Sequence, residues 1–214
     1  MQFKPVQTYV AKRAAAYLSK ELNTTVSLSG IYFKPFKSLV IEDLLVLDLQ
    51  KDTLLNTPEF MVDINDFSLK RRVFNVNTVQ INNGNFFLKS YKDRSTNIDF
   101  IIKYFDSGSK KVKKKKEPFK LSFDRIILNN IAFKYKNLRV DTVIKGVNFD
   151  DIQMSSLNGI FEQLNTADHL MQANIKNLSF QEKSGFYLKN LTSFATIDTN
   201  QIELKELMLV TNKS

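Results

Sequence analysis

The chain has no cysteine and no tryptophan, and it carries one histidine, four prolines and six glycines in 214 residues. Without cysteine there are no disulfides and no thiolate metal sites, and the redox compartment stays open. So few glycines leave little room for backbone loops that cradle phosphate, and no phosphate loop, dinucleotide fingerprint, zinc spacing or nucleophile elbow occurs. The histidine, His169, stands beside Asp168 in a polar stretch. A metal needs more ligands than that, so it reads as surface. No apolar run reaches the ~18 residues of a membrane-spanning helix, and Phe3-Lys4-Pro5-Val6-Gln7 lacks the apolar segment of a signal peptide. The 22 acidic residues are scattered through loops and bends rather than gathered. The residues thus describe a non-enzyme without a cofactor.

A charge of one sign is also scarcer than it looks. The formal net charge is +9, but six lysines (Lys110, Lys111, Lys113, Lys114, Lys115 and Lys116) sit in one run, and without them it falls to +3. A basic loop on a nearly neutral body is a poor footprint for nucleic acid, and none is expected as a partner. The run reads as a disordered loop at 107–118, with weak attraction to an anionic membrane surface as the sharper reading.

What the chain does have is a repeated apolar signature: two alternating apolar residues, a polar pair, two more. It reads Phe74, Val76, Val79, Ile81 around Asn77-Thr78. Before it come Val26, Leu28, Ile31, Phe33; Leu39, Ile41, Leu44, Val46; and Val62, Ile64, Phe67, Leu69. After it come Leu121, Phe123, Ile126, Leu128; Val147, Phe149, Ile152, Met154; Ala173, Ile175, Leu178, Phe180; and Ile202, Leu204, Leu207, Leu209. A two-residue hairpin or a one-residue bulge would each return the second apolar pair to the face of the first. Tight hairpins favour Asn-Gly or Asp-Gly, whereas the central pairs include Glu42-Asp43, Asp124-Arg125, Asp150-Asp151 and Lys205-Glu206. Bulged, bent strands are favoured, and bulges curve a sheet.

Burial of these side chains is worth roughly 1.5–3 kcal/mol each, so leaving a third of them wet would exceed the ~5–15 kcal/mol by which a domain is stable. A second layer, a partner or acyl chains must cover that face.

In chain order, residues 5–22 read as an amphipathic helix with Val6, Tyr9, Val10, Ala14, Tyr17, Leu18 and Leu22 on one side. Asp52-Thr53 reads as a loop device rather than a metal or catalytic pair. Asn97 is expected to cap a short helix whose stripe is Ile98, Ile101, Ile102 and Phe105, plugging part of the sheet. Superposing Asn82-Asn83 on Asn129-Asn130 exposes an internal repeat at an offset of 47, with Val76, Val79, Ile81, Phe86 and Leu88 falling on Phe123, Ile126, Leu128, Phe133 and Tyr135. Such repetition suggests an extendable sheet.

Several stretches resemble the N-terminal part of TamB proteins, of the Bacteroidota branch within the AsmA-like group. They are Pro5-Val6-Gln7-Thr8, Lys51-Asp52-Thr53-Leu54-Leu55, Asn97-Ile98-Asp99-Phe100, Glu182-Lys183-Ser184-Gly185-Phe186 and Leu209-Val210-Thr211-Asn212-Lys213-Ser214. The resemblance implies a periplasmic segment of an inner-membrane-anchored Gram-negative envelope protein, with residues 1–22 following an anchor absent from this sequence. It further implies phospholipid transport between inner and outer membrane. The alternative is assembly of outer-membrane and secreted proteins by β-augmentation with a TamA-type outer-membrane partner, engaged through regions also absent here.

The expected fold is therefore mainly β: a curved, twisted antiparallel sheet forming an open apolar groove over residues 23–214, with the N-terminal helix and one short helix. The groove is expected to shield acyl chains of phospholipid. Its wall is assigned to Ile41, Leu44, Val62, Ile64, Phe67, Val76, Val79, Ile81, Phe123, Ile126, Leu128, Ile152, Ile175 and Leu178.

Overall fold

A computed structural model describes residues 4–34, 38–68, 73–107, 120–140, 146–167, 170–197 and 201–212. The lysine run and His169 lie outside the described residues, as do the side chains of Phe67 and Phe123.

Among the described residues, two helices and one large sheet make up the fold. The elements are α1 (Lys4–Leu22), β1 (Val26–Ser27), β2 (Gly30–Lys34), β3 (Ser38–Leu47), β4 (Thr53–Ser68), β5 (Val73–Asn82), β6 (Asn85–Ser90), α2 (Asp99–Ser107), β7 (Lys120–Asn137), β8 (Asp151–Ala167), β9 (Leu170–Glu182), β10 (Tyr187–Ile197) and β11 (Ile202–Thr211). The strand order is β1-β3-β4-β5-β7-β8-β9-β10-β11, with β2 also on β3 and β6 also on β4 and β7. Thus β1 and β2 are two halves of one bent ribbon, and so are β5 and β6.

The expectation of an antiparallel sheet is corrected at one seam. Every other pairing is antiparallel, but β5 and β6 run parallel to β7. A parallel neighbour needs a crossover, and the connection from Ser90 to Lys120 supplies it, with α2 inside. The register there equals the sequence repeat: Val73 lies opposite Lys120 and Ser90 opposite Asn137, 47 residues apart at both ends.

The ribbons pass through most of the polar pairs without reversing. Asp43, Asn177 and Glu206 have φ of 50°, 53° and 53°, each the second member of a predicted pair. One left-handed residue turns the strand and returns alternation to the same face. Asn83 and Asn130 do the same at 53° and 54°; asparagine tolerates this region at low cost. The Asn65 and Asn77 positions bulge in a compensating way, so β4 and β5 leave and regain one register. The sixth copy departs from the expectation. Asn148 to Asp151 is a turn, closed by Asp151 N–H donating to Asn148 O at 3.1 Å, and Phe149 is 75 % exposed. Its alternation was coincidental.

The first helix buries only part of the expected stripe, Ala14, Leu18 and Leu22 being half-buried. Ala11 is buried and Leu18 and Leu22 pack on the sheet, while Tyr9, Val10 and Tyr17 are exposed. Alanine permits close approach of the helix, and the tyrosines point out, Tyr9 lying under the Arg13 guanidinium at 5.5 Å. Ser19 Oγ accepts from Val26 N–H and donates to Val26 O at 2.9 and 3.0 Å, fastening the helix end to β1.

Asn97 does not cap α2. Its buried side chain accepts from Lys89 N–H at 2.8 Å and donates to Phe87 O at 2.9 Å, so it clamps β6 instead. Ile98 O receives the first helical N–H groups, from Ile101 and Ile102. Ile98, just before α2, and Phe100 and Ile101 on it pack against a core of Val26, Leu44, Val46 and Leu54, whereas Ile102 is exposed. The two helices therefore cover one corner of the sheet. Among the described residues, no helix is long and apolar enough to cross a membrane.

Candidate functional site

Residues directly opposite in neighbouring strands share a face, so the registers can be read across the sheet. One row runs Leu39, Val62, Val79, Ile126, Phe161, Ile175. A second, two residues along, runs Ile31, Ile41, Phe60, Ile81, Leu128, Gly159. At Gly159 the row has no side chain because Leu178 lies over it: a Cβ there would stand 3.0 Å from Leu178 Cδ1. Leu178 then faces Leu191, and Leu191 faces Leu209. Apolar side chains thus line up across nine ribbons on one face.

A third row, beyond the left-handed bends, joins Val26, Val46, Leu55, Phe86, Phe133 and Met154. Phe86 and Phe133 rings sit 5.9 Å apart across the parallel seam. The helices pack on this row, and its Val26–Val46 end is the buried core. Ile152 extends the same side through Tyr135 and Leu88.

The opposite face is mixed. Ser38, Asp63, Thr78, Arg125, Glu162 and Asn174 form a polar row on it, and beside that row run Tyr32, Val40, Met61, Gln80, Ile127 and Ile160, with Val40 fully buried. Ser38 donates to Asp63, Arg125 meets Glu162 at 3.2 Å, and Lys176 meets the same Glu162 at 2.5 Å. The Lys176 hydrogen bond comes first in holding the Glu162 carboxyl below its ordinary range.

Of the fourteen wall residues assigned from the sequence, Leu44, Val62 and Val76 are buried. Ile41, Ile64, Val79, Ile81, Ile126, Leu128, Ile152, Ile175 and Leu178 are half-buried, and Phe67 and Phe123 have no described side chain. The wall assigned from the sequence left out Phe60, Phe161 and Leu191, which complete the rows. Phe161 lies between two left-handed bends in β8, Ser156 at 51° and Gln163 at 54°. Those bends break the spacing that would have marked it.

Two charged clusters sit on the rim rather than on the apolar face. Asp48 is fully buried; its Oδ1 accepts from Gln50 and Asp52 N–H at 3.0 and 2.9 Å, and its Oδ2 meets Lys89 Nζ at 3.4 Å and Asn97 Nδ2 at 3.3 Å. Lys89 also pairs with Asp52. Burial alone would lower the Lys89 pKa, but the Asp52 hydrogen bond and the two carboxylate charges outweigh it and raise it. In the second cluster Asp151 meets Lys183 at 2.9 Å and Lys136 at 3.3 Å. The Lys183 hydrogen bond, aided by Lys136, holds the Asp151 carboxyl down at about 2. Lys89 and Lys136 are partners across the parallel seam, so the repeat carries its ion pair as well. Both clusters tie strands to turns.

A cavity of about 620 Å³ lies beside the first cluster, lined by Leu49, Tyr91, Thr96, Phe100 and Lys103 among others. Among the described residues, no group of three or more His, Asp or Glu is placed to hold a metal ion. The arrangement sets continuous apolar rows on one face and a mixed polar and apolar surface on the other. No family model and no curated protein matches this chain.

Proposed function

We propose that this domain binds acyl chains along the apolar face of its sheet, as a non-enzymatic segment of a TamB-like, AsmA-like envelope protein that passes phospholipid between membranes. One observation carries the reading. The rows through Ile126 and Leu128 continue beyond the corner that α1 and α2 cover, and there their side chains remain half-buried. Half-covering a strip of branched aliphatic residues leaves hydrophobic free energy to be gained by any apolar guest. The strip is continuous from ribbon to ribbon, which suits a sliding chain better than a single headgroup pocket. On this reading the face forms an open groove in the periplasm.

The test is photocrosslinking to phospholipid from two adjacent positions of β7. Ile126 lies in the apolar row and Ile127 on the other face, opposite Gln80 and Ile160. The reading expects lipid adducts from position 126 and not from 127. Equal labelling from both would sink it.

A further inference from the structure

The cavity of about 620 Å³ shares no lining residue with the apolar rows. It lies where the turn after β3 and the turn after β6 meet the start of α2, and its volume is in the ~300–1,000 Å³ range of small-molecule sites. Three apolar side chains wall it. Leu49, on the first turn, is 49 % exposed. Tyr91, on the second, is half-buried, and its hydroxyl donates to Gln50 Oε1, tying the two turns together. Phe100, on α2, is half-buried between the cavity and the core of Val26, Leu44, Val46 and Leu54. Two cations and two carboxylates also line it, but three of the four are engaged. Asp93 accepts from Ser95 N–H and Oγ at 3.0 and 2.6 Å, and those bonds, with the Lys103 charge behind them, hold its carboxyl below the ordinary range. Asp99 accepts from Thr96 Oγ in the first turn of α2, where the helix dipole favours a carboxylate. Lys92 is exposed and has no carboxylate partner among the described residues.

We infer that this cavity binds a single-chain amphiphile with an anionic head, its tail against Leu49, Tyr91 and Phe100 and its head at Lys92. An alkyl tail gains by displacing water from the apolar walls, whereas a charged head stays at the rim, where water and the ammonium both reach it. A ligand bound through neutral polar groups finds few partners left. Ser95 and Thr96 are committed to Asp93 and Asp99, and Asn97 to Phe87 O and Asp48. Carboxylate and phosphate heads both suit a lysine ammonium, so the tail could belong to a fatty acid or to a phosphate-headed lipid. The inference is separate from the groove reading and uses none of its residues.

Calorimetric titration of the purified chain with dodecanoate and with dodecyl phosphate, each below its micelle concentration, tests this, with dodecyl maltoside as the uncharged control. The titrations are run in the parent and in Ile81→Lys, which spoils the apolar rows but not the cavity. A site that persists in Ile81→Lys is expected for an anionic amphiphile, about tenfold or more tighter than for the control, a difference of ~1.4 kcal/mol or more. The head that binds more tightly names the source, fatty acid or phosphate-headed lipid. In the Ile81→Lys background, Lys92→Glu sets a carboxylate against the head and is expected to weaken that site about tenfold or more. Leu49→Glu, at the apolar wall, is expected to do the same. Both positions are exposed, and circular dichroism checks each fold. A folded Ile81→Lys chain that binds neither acid overturns the inference and leaves the groove reading standing. A persisting site indifferent to Lys92→Glu and Leu49→Glu, or one that takes the maltoside equally well, overturns it too.

Discussion

Asn129 donates its side-chain amide to the side-chain carbonyl of Asn82 at 2.8 Å, across a parallel seam that sets residues 47 positions apart in register. Asn130 repeats the bond to Asn83 at 2.8 Å. A sequence repeat thus meets itself in space. Identical amides stacked at one level satisfy each other's donors and acceptors, as in a ladder, and they do so where both ribbons bend. Gly84, just after the bend, is held close: a Cβ there would stand 3.1 Å from Asn56 O. Replacing Asn82 or Asn129 by alanine is expected to cost about 0.5–1.5 kcal/mol each. Asn82→Ala also removes its bonds with Gln80 and Glu59, but the Asn129–Asn82 bond is lost only once, so the double variant should cost less than the sum. Denaturant unfolding of the three variants reads the coupling; strict additivity would mean that the ladder is incidental.

Asp48 and Asp52 look alike in sequence and differ in the fold. Asp48 is fully buried and answers two backbone N–H groups, while the Asp52 side chain is 64 % exposed. Asp48→Ala strands those donors and leaves Lys89 with Asp52 alone, an expected loss of roughly 2–4 kcal/mol. Asp52→Ala should cost less than about 1 kcal/mol. Urea midpoints at neutral pH make the comparison, and equal losses would contradict it.

The Asp151 carboxyl, held at about 2 by Lys183 and Lys136, ties stability to acidity. A carboxyl depressed in the folded state stabilises above its unfolded pKa, near 4, and that contribution is lost as pH falls through the folded value. Asp151→Asn should therefore be less stable than the parent at pH 7, by roughly 1 kcal/mol after allowance for solvent screening. The gap should close between about pH 4 and pH 2. Melting curves across that window decide it. A gap independent of pH would place the effect in packing.

Much of this was legible in the sequence, and the reason is the period-two rule. Alternation broken by one polar pair marked Asp43, Asn177 and Glu206 as bends, because a single left-handed residue restores the face whatever lies next door. Strand direction was a different matter. Parallel and antiparallel neighbours both set apolar residue against apolar residue, so alternation alone could not give the β5–β7 seam. The offset of 47 could have: a sequence in register with its own copy at one level requires a parallel pair. The stripe on α1 was partly misread because seven apolar positions fit the spacing, and alanine, not tyrosine, allowed the helix to approach. Phe161 stayed hidden because β8 bends twice. At 147–150 the same alternation arose from a turn, and only the burial of neighbours, absent from sequence, tells the two apart.

The most direct test of the acyl-chain reading uses two lysines one residue apart in β5. Ile81 lies in the apolar row opposite Phe60 and Leu128, and Gln80 on the other face opposite Met61 and Ile127. Native mass spectrometry of the purified chain incubated with phospholipid vesicles would compare Ile81→Lys and Gln80→Lys with the parent. The account predicts bound phospholipid in the parent and in Gln80→Lys, and its loss in a folded Ile81→Lys. A parent that binds none, or an Ile81→Lys that retains as much as the parent, would contradict it.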